Sequence, residues 1–223
     1  YSTMINFSDL HVGLTNRCRL LCAECARTTL GGRYIQSMFD LDVDYFKKFL
    51  LECNPNKILF CGNWGDPIYS KDFVGLVRAI KTQNPSCQLE IQTNGSGKSI
   101  DFWTKLATEL LDNDILIFSI DGSPENYNKY RVNSDWEDVE LAVKTVIKTK
   151  KKLNKKTSIE WKHLVFSYNE DTIDIAYDKS VELGFDKFFL QQSMVNIEKW
   201  LTISRPFREI EQDFYDRKNK RLL

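Results

Sequence analysis

Apolar positions along the chain follow two alternating spacings. Short runs rich in β-branched and aromatic residues indicate strands, and between them apolar residues recur every three or four positions, as on one face of a helix. The predicted strands are "LHVGLT" (10–15), "KILFCG" (57–62), "QLEIQT" (88–93), "DILIFSID" (114–121), "SIEWKHLVF" (158–166) and "DKFFLQQS" (186–193). Six strands that alternate with helices are typical of parallel βα units.

Most of the predicted helices have recognisable ends. Ser70 precedes one helical run, and Ser134 with Glu137 three residues later predicts a capping box at the start of another. Gly184 predicts the end of the helix before the sixth strand. Further helices are predicted at about 41–53 and 100–111. The alternation is typical both of a partial parallel barrel and of a doubly wound sheet, and periodicity alone does not distinguish the two.

The segments that follow the predicted strands are rich in glycine and small polar residues. In chain order they read "NRCRLLCAEC", "GNWGDP", "TNGSG", "IDGSPENYNKYR", "FSYNE" and "QQSM". Both architectures bind ligands at the C-terminal ends of their parallel strands. These segments are therefore predicted to line one common site.

Composition and charge limit which partners and which cellular location the sequence supports. The chain has 31 basic and 31 acidic side chains, so its net charge gives no argument for nucleic acid or an anionic membrane as partner. No stretch approaches 18 apolar residues, and "YSTMINFSD" lacks the layout of a signal peptide. We expect a cytoplasmic protein with a single domain over 1–223, a core over about 10–195 and a charged tail over about 196–223. The segment "KTKKKLNKK" (148–156) is predicted to be a solvated helix end, with an RNA contact as the alternative.

Three of the six cysteines are crowded into the segment after the first strand. They are Cys18, Cys22 and Cys25 of "CRLLCAEC". Such crowding in a chain of this length favours metal binding over disulfides. The other three, Cys53, Cys61 and Cys87, lie apart in apolar or strand-like surroundings, and we expect them to be buried small hydrophobic residues.

Two kinds of metal site fit three clustered cysteines. Zinc needs a fourth ligand, and the only histidines, His11 and His163, have no local spacing relation to the cysteines. A four-iron cluster held by three cysteines keeps one iron without a protein ligand, and that position can bind a small molecule.

Four motifs together resemble one known family. "TNRCRLLCAEC" resembles the CxxxCxxC signature of radical S-adenosylmethionine (radical SAM) enzymes, and "GNWGDP" is similar to the Gly-Gly-Glu-Pro segment that ends their second strand. "QTNG" fits the end of the third strand, and "FSIDGSPENYNKYR" is similar to the stretch after the fourth in members that modify peptides, proteins or small metabolites. The resemblance extends over residues 10 to 195 and is to the catalytic domain of the SPASM-type members.

The resemblance implies an α/β fold, a partial (β/α)6 TIM-like barrel of parallel strands. It also implies a [4Fe-4S] cluster whose open iron binds S-adenosyl-L-methionine, which an electron cleaves to methionine and a 5'-deoxyadenosyl radical. That radical would take hydrogen from a peptide, protein or small-molecule substrate, and a flavodoxin-like or ferredoxin-like protein would donate the electron. A nucleoside or RNA substrate is the second choice within this class, and nucleic acid is otherwise not an expected partner. A non-catalytic zinc or iron–sulfur scaffold is the alternative outside it.

The resemblance also assigns residues, and the reaction itself has no assigned catalytic residue. Cys18, Cys22 and Cys25 are the implied cluster ligands. The implied cofactor contacts are Gly65, Asp66, Ser119 and Arg131. Asn94, Asp121 and Gln191 lie at the ends of the third, fourth and sixth predicted strands and are further predicted cofactor contacts from that position, with the substrate as the alternative ligand of Asn94. Asp66 stands where the family has Glu, so its carboxylate reaches one methylene less far toward the cofactor's ammonium group. A turn or cap is the structural alternative for Gly65, Asn94 and Asp121.

Three further expectations concern His163, Glu24 and the C-terminal half. His163 shares a strand face with Trp161 and is expected to be a hydrogen-bonded structural residue rather than an active-site group. Glu24 occupies the position before the third cysteine, where many family members have an aromatic residue. No cysteine follows Cys87, so a single cluster without auxiliary clusters is predicted.

Overall fold

The computed structural model describes residues 8–29, 38–62, 64–193 and 201–221. Six parallel strands form one sheet in the order of the chain. The strands are β1 (Asp9–His11), β2 (Lys57–Phe60), β3 (Gln88–Thr93), β4 (Ile115–Ser119), β5 (Ser158–Val165) and β6 (Lys187–Gln192). A doubly wound sheet reverses its strand order at a switch point, whereas here each strand lies beside the next in sequence. The fold is therefore an open α/β partial barrel, as the resemblance implies.

Helices connect the strands and pack on one side of the sheet. They are α1 (Ala26–Thr29), α2 (Val43–Glu52), α3 (Phe73–Gln83), α4 (Ile100–Glu109), α5 (Trp136–Lys152), α6 (Ile173–Leu183) and α7 (Phe207–Arg221). Short 3-10 helices lie at Pro67–Tyr69, Tyr127–Lys129 and Glu170–Thr172. In the part of the chain that the structure describes, no helix is both long and apolar enough to cross a lipid bilayer.

The two faces of the sheet differ in chemistry because side chains alternate along each strand. One face packs against the helices and is apolar. Its buried residues include Ile58, Phe60, Leu89, Ile91, Leu116, Phe118, Ile159 and Trp161. The other, inner face carries polar side chains, among them Lys57 and Glu90, whose Nζ and Oε2 atoms are 2.5 Å apart. Polar groups are thus brought to the side of the sheet that the helices leave open.

Two helix starts differ from the sequence predictions by one or more residues. α3 is capped by Asp72, whose carboxylate accepts a hydrogen bond from Gly75 N at 3.1 Å, and Ser70 ends the preceding 3-10 helix instead. α5 is capped by Asp135, so the predicted capping box at Ser134 is wrong. Aspartate and serine are equally good caps, and the sequence offered both within two positions in each case.

The C-terminal end of α6 agrees with its prediction. Gly184 adopts a left-handed conformation with φ +87°, and its N–H donates to Ser180 O and Val181 O. This is the position where glycine carries no steric penalty.

β1 is shorter than predicted. Only three residues pair with β2, and beyond them Val12 N still donates to Leu59 O at 3.0 Å. The chain then turns toward the segment before α2, where Leu41 N donates to Leu14 O and Thr15 forms a bridge with Asp40. This turn starts the loop that carries the three clustered cysteines.

The charged tail contains α7, which packs against the body of the protein. Phe214 and Ile210 are buried in the main hydrophobic cluster, and the Phe214 ring lies 5.6 Å from the rings of Tyr177 and Phe188. The predicted boundary between core and tail falls within 194–200, and Asn63 belongs to "GNWGDP"; both lie outside the described residues.

Candidate functional site

A cavity of about 160 Å³ lies at the C-terminal ends of the strands. It brings together the three clustered cysteines, residues that end or follow β2, β3 and β4, and Lys162 from within β5. Its lining is Cys18, Cys22, Cys25, Cys61, Gly62, Gly65, Asp66, Gln92, Thr93, Asn94, Ser119, Arg131 and Lys162. The cluster ligands and most of the predicted cofactor contacts therefore share one cavity.

The loop that carries the three cysteines is held by the segment after β4. Leu21 N donates to Val132 O at 3.0 Å, and Ala23 N donates to Tyr130 O at 3.1 Å. Tyr130 stacks on Phe166 with 4.5 Å between ring centroids, and Leu20 and Cys22 pack in the same buried cluster. The motif "NYNKYR" thus forms one wall of the cysteine loop.

The three arginines of the cysteine loop have structural partners. Arg17 Nε lies 2.7 Å from Asp40 Oδ2, and Arg19 Nη1 lies 2.7 Å from Asp138 Oδ2. Arg27 donates to a backbone carbonyl of the same loop. The first two contacts fix the loop against the segment before α2 and against α5.

Burial favours the protonated form of two thiols in the cysteine loop, those of Cys18 and Cys22. It raises the pKa of Cys22 to about 12 against the opposing effect of the nearby Arg131 guanidinium. Burial also raises the pKa of Cys18, with the Asp66 carboxylate adding to the shift. Without a metal these thiols are protonated at neutral pH, and a bound metal ion displaces such protons.

Gly65 and Asp66 join the loop after β2 to the cysteine loop. A Cβ atom on Gly65 would lie 2.3 Å from Thr15 O and 2.8 Å from Arg17 O, so only glycine fits there. Asp66 N donates to the same Arg17 carbonyl at 2.9 Å.

The Asp66 carboxylate is buried and already bonded. It accepts from Asn94 N at 2.7 Å, from Thr93 Oγ1 at 3.1 Å and from Ile68 N at 3.2 Å. Burial raises its pKa against these hydrogen bonds. A carboxylate has about four acceptor positions, so Asp66 keeps roughly one for a ligand while it positions the end of β3.

Asn94 contacts the cysteine loop directly. Its Nδ2 atom donates to Cys18 Sγ at 3.5 Å, and its Oδ1 atom accepts from Ser96 N at 2.9 Å. Gly95 follows with φ +75°, which completes the tight turn. The turn predicted as a structural alternative is present, and the same side chain also lines the cavity.

Arg131 lies in the segment that follows β4 and lines the cavity. Its Nη2 atom lies 2.7 Å from Asp121 Oδ2, while its Nε atom is buried without a hydrogen-bond partner in the described part of the chain. Asp121 is fully buried, does not line the cavity, and also accepts from Leu164 N at 2.9 Å. Asp121 thus lies behind Arg131 and orients it.

Gln191 and His163 lie away from the cavity. Gln191 is exposed on β6 and is absent from the cavity lining. His163 lies on the helix-covered face with Trp161 and is fully buried. Its ring nitrogens make no hydrogen bond of good geometry within the described residues, but the Asn169 side chain lies close enough to favour the charged ring. His163 is therefore a buried structural residue, and the polar contact of its ring is with Asn169.

Comparison with solved structures identifies the fold. Streptococcus suis SuiB bound to S-adenosylmethionine matches with a TM-score of 0.70 and 14% identity, over 99% of this chain and 49% of SuiB. anSMEcpe with bound AdoMet matches with 0.63 and 19%, over 87% of this chain and 55% of that protein. Methylornithine synthase (PylB) matches with 0.57 and 12%, over 91% and 56%. The fold is that of the radical SAM enzymes.

The radical SAM likeness is a likeness of structure. No family model and no curated protein matches the sequence. The chain spans about half the length of the solved radical SAM proteins that it matches.

The donor set in the cavity fits the group that the radical SAM fold implies. Three thiols, an amide donor on one of them and the Arg131 guanidinium line the cavity, and they supply thiolates for a cluster and a cation for an anionic ligand. No three His, Cys, Asp or Glu side chains among residues 8–29, 38–62, 64–193 and 201–221 are arranged to hold a single metal ion. Zinc needs such convergence, whereas cluster thiolates each bind a different iron.

Sequence reasoning missed three residues of the cavity: Cys61, Gln92 and Lys162. Cys61 does not behave as a buried hydrophobic residue, because it is half-buried in the cavity and its Sγ donates to Gln92 Oε1 at 3.7 Å. The available signal was strand alternation: Gln92 and Lys162 fall on the polar face of strands whose other face is apolar.

The lysine-rich segment at the end of α5 has structural contacts. Lys150 Nζ lies 2.5 Å from Asp186 Oδ2, and Lys155 Nζ donates to Leu110 O at 2.5 Å and to Thr108 O, at the end of α4. These contacts account for two of the lysines on which an RNA contact would depend.

Proposed function

We propose that this protein is a radical SAM enzyme that binds a [4Fe-4S] cluster through Cys18, Cys22 and Cys25. The observation that carries the proposal is the shared cavity. Three thiols of one loop meet an arginine and polar side chains from the ends of β3 and β4, on a fold whose solved examples include proteins bound to S-adenosylmethionine.

The chain's own residues bind and orient in this proposal. Asn94 Nδ2 orients the Cys18 thiolate, and the Arg131 guanidinium, held by Asp121, pairs with the carboxylate of S-adenosylmethionine. Ser119 lines the same cavity at the end of β4. When bound, the cluster would supply the electron that cleaves the sulfonium and so generates the 5'-deoxyadenosyl radical that takes hydrogen from a substrate.

A peptide or protein is the proposed substrate class, with a small metabolite as the second candidate. SuiB is solved with its precursor peptide SuiA, and anSMEcpe with the Cp18Cys peptide. We further propose a flavodoxin-like or ferredoxin-like electron donor and a cytoplasmic location.

Cysteine variants of the reconstituted protein test the proposal. After anaerobic reconstitution with iron and sulfide, the natural protein should bind about four irons and, once reduced, convert S-adenosylmethionine to methionine and 5'-deoxyadenosine. Cys18→Ala, Cys22→Ala and Cys25→Ala should each lose cluster and products. Cys53→Ala is the matched control, because Cys53 is buried outside the cavity.

Two results would contradict the proposal. One is tight binding of a single zinc ion with no cleavage products. The other is a cluster that survives in all three single variants of the cysteine loop but is lost in Cys61→Ala, which would make Cys61 a ligand.

A further inference from the structure

Lys162 extends across the inner face of the sheet. It lies on β5 beside Ser119 of β4 in the strand register, and its ammonium reaches past β4 to Gln92 of β3. Lys162 Nζ donates to Gln92 Oε1 at 2.7 Å, and both side chains line the cavity that holds the three clustered cysteines. Its position is therefore fixed by a neutral acceptor.

The other charged groups of this face are paired. Lys57 pairs with Glu90, and Lys187 Nζ lies 3.6 Å from Glu160 Oε2. Arg131 has Asp121. Lys162 has no carboxylate within 4 Å in the described part of the chain, although its side chain is half-buried.

An unpaired ammonium in a cavity is costly, because burial removes hydrating water without replacing it by an opposite charge. Burial lowers the pKa of Lys162 and the Arg131 guanidinium lowers it further, while the more distant Asp121 and Glu90 carboxylates and the Cys61 thiol oppose the shift without cancelling it. The amide of Gln92 occupies one of the three ammonium donors, so two are open to a ligand. A cation held in this way is a binding group for an anion.

We propose that Lys162 binds a carboxylate of the substrate, so that the substrate is an acidic molecule. This inference rests on the proposed function, since it needs a substrate that enters the cavity. Lys162 is thereby a specificity-determining residue on the floor of the site.

Depth in the cavity favours the substrate over S-adenosylmethionine as the source of the carboxylate. Asn94 touches Cys18 at the end of β3, whereas the Lys162 ammonium bonds to Gln92, two residues earlier. Two residues of a strand span about 7 Å, so the backbone of Gln92, which holds this ammonium, lies deeper in the sheet than that of Asn94, which contacts the cysteine loop. Arg131, which is beside Cys22, remains for the cosubstrate.

Matched acidic and neutral probes test the inference on the reconstituted protein without reductant. The peptide pair is dye-labelled Gly-Glu-Gly and Gly-Gln-Gly with blocked ends, followed by fluorescence anisotropy. The small-molecule pair is glutarate and glutaramide, followed by calorimetry. We expect the acid of at least one pair to bind about tenfold more tightly than its amide, because a charge-assisted bond to a half-buried ammonium is worth about that much. The pair that shows the preference identifies the source of the carboxylate.

Variants of Lys162, and competition with S-adenosylmethionine, decide whether Lys162 causes the preference for the acidic probe. Lys162→Met should reduce the preference for the acid to within about twofold, and Lys162→Arg should retain most of it. Lys187→Met, which removes a paired lysine from the same face, should leave the preference intact. Saturating S-adenosylmethionine should not displace the acidic probe.

Equal binding of acid and amide in both pairs would overturn the inference. So would a preference that survives Lys162→Met, or displacement of the probe by S-adenosylmethionine, which would assign Lys162 to the cosubstrate. Failure of the proposed function is a separate result, since it is seen as absence of 5'-deoxyadenosine from the natural protein.

Discussion

His163 is a neutral imidazole enclosed between β5 and the helix layer. Its ring lies 5.7 Å from that of Phe188, and burial lowers its pKa to about 4 from 6.5, against the opposing effect of Asp121. Folding therefore favours the neutral form. The stability that depends on neutral His163 is complete above pH 6.5 and is lost as the pH falls toward 4.

Replacing His163 should remove this pH dependence. Between pH 7 and pH 5 the natural protein should lose about 2 kcal/mol more unfolding free energy than His163→Phe, from the difference between the two pKa values. Urea unfolding at both pH values measures it. His11→Gln is the control, because His11 is exposed on β1. Parallel pH profiles for the natural protein and His163→Phe would contradict the assigned pKa.

At the scale of residues, the sequence predicts which residues belong to the site better than it predicts which groups they contact. The cysteine spacing singles out Cys18, Cys22 and Cys25, and the cavity does bring them together. The contacts of Asp66 could not be predicted, because they depend on how Asn94 folds back from another strand. Lys162 was missed because its partner Gln92 is 70 residues away in the chain.

At the scale of elements, the loop after β2 and the cysteine loop form one unit through Gly65. Gly65→Ala should force the two backbones apart, since the added methyl would meet Thr15 O at 2.3 Å. We expect a loss of about 1–3 kcal/mol in unfolding free energy, the usual cost of an overpacked contact, together with reduced iron content after reconstitution. Urea unfolding and iron analysis measure the two effects.

Gly13→Ala is the matched control for the loop prediction. Among the residues that the structure describes, and apart from its two chain neighbours, none has an atom within 4 Å of a Cβ placed at Gly13, so its substitution should change stability by less than about 0.5 kcal/mol. If Gly65→Ala and Gly13→Ala behave alike, the close approach of the two loops is not a constraint on the site.

The elements themselves were largely predictable, and their ends were not. Helices and strands follow the apolar spacing, and all six strands appear where it predicts them. β1 ends early because its last predicted residues pair with the segment before α2, a long-range contact that periodicity does not contain. The strand order, which distinguishes a partial barrel from a doubly wound sheet, likewise depends on tertiary pairing.

At the scale of the whole molecule, α7 completes the core beside β6. Phe214→Ala should cost about 3–5 kcal/mol of unfolding free energy, because the ring is fully buried against Tyr177 and Phe188. Tyr45→Ala removes an aromatic ring that is 68% exposed and should change stability little. Equal effects of both variants in urea unfolding would show that α7 does not contribute to the core.

The central claim is that the cysteine loop holds a cluster with one iron open to S-adenosylmethionine. Electron paramagnetic resonance of the reduced, reconstituted protein tests it most directly. We expect a [4Fe-4S] signal that changes when S-adenosylmethionine is added, in the natural protein and in Cys61→Ala alike. A signal that does not respond to S-adenosylmethionine, or that requires Cys61 as a fourth thiolate, would contradict it.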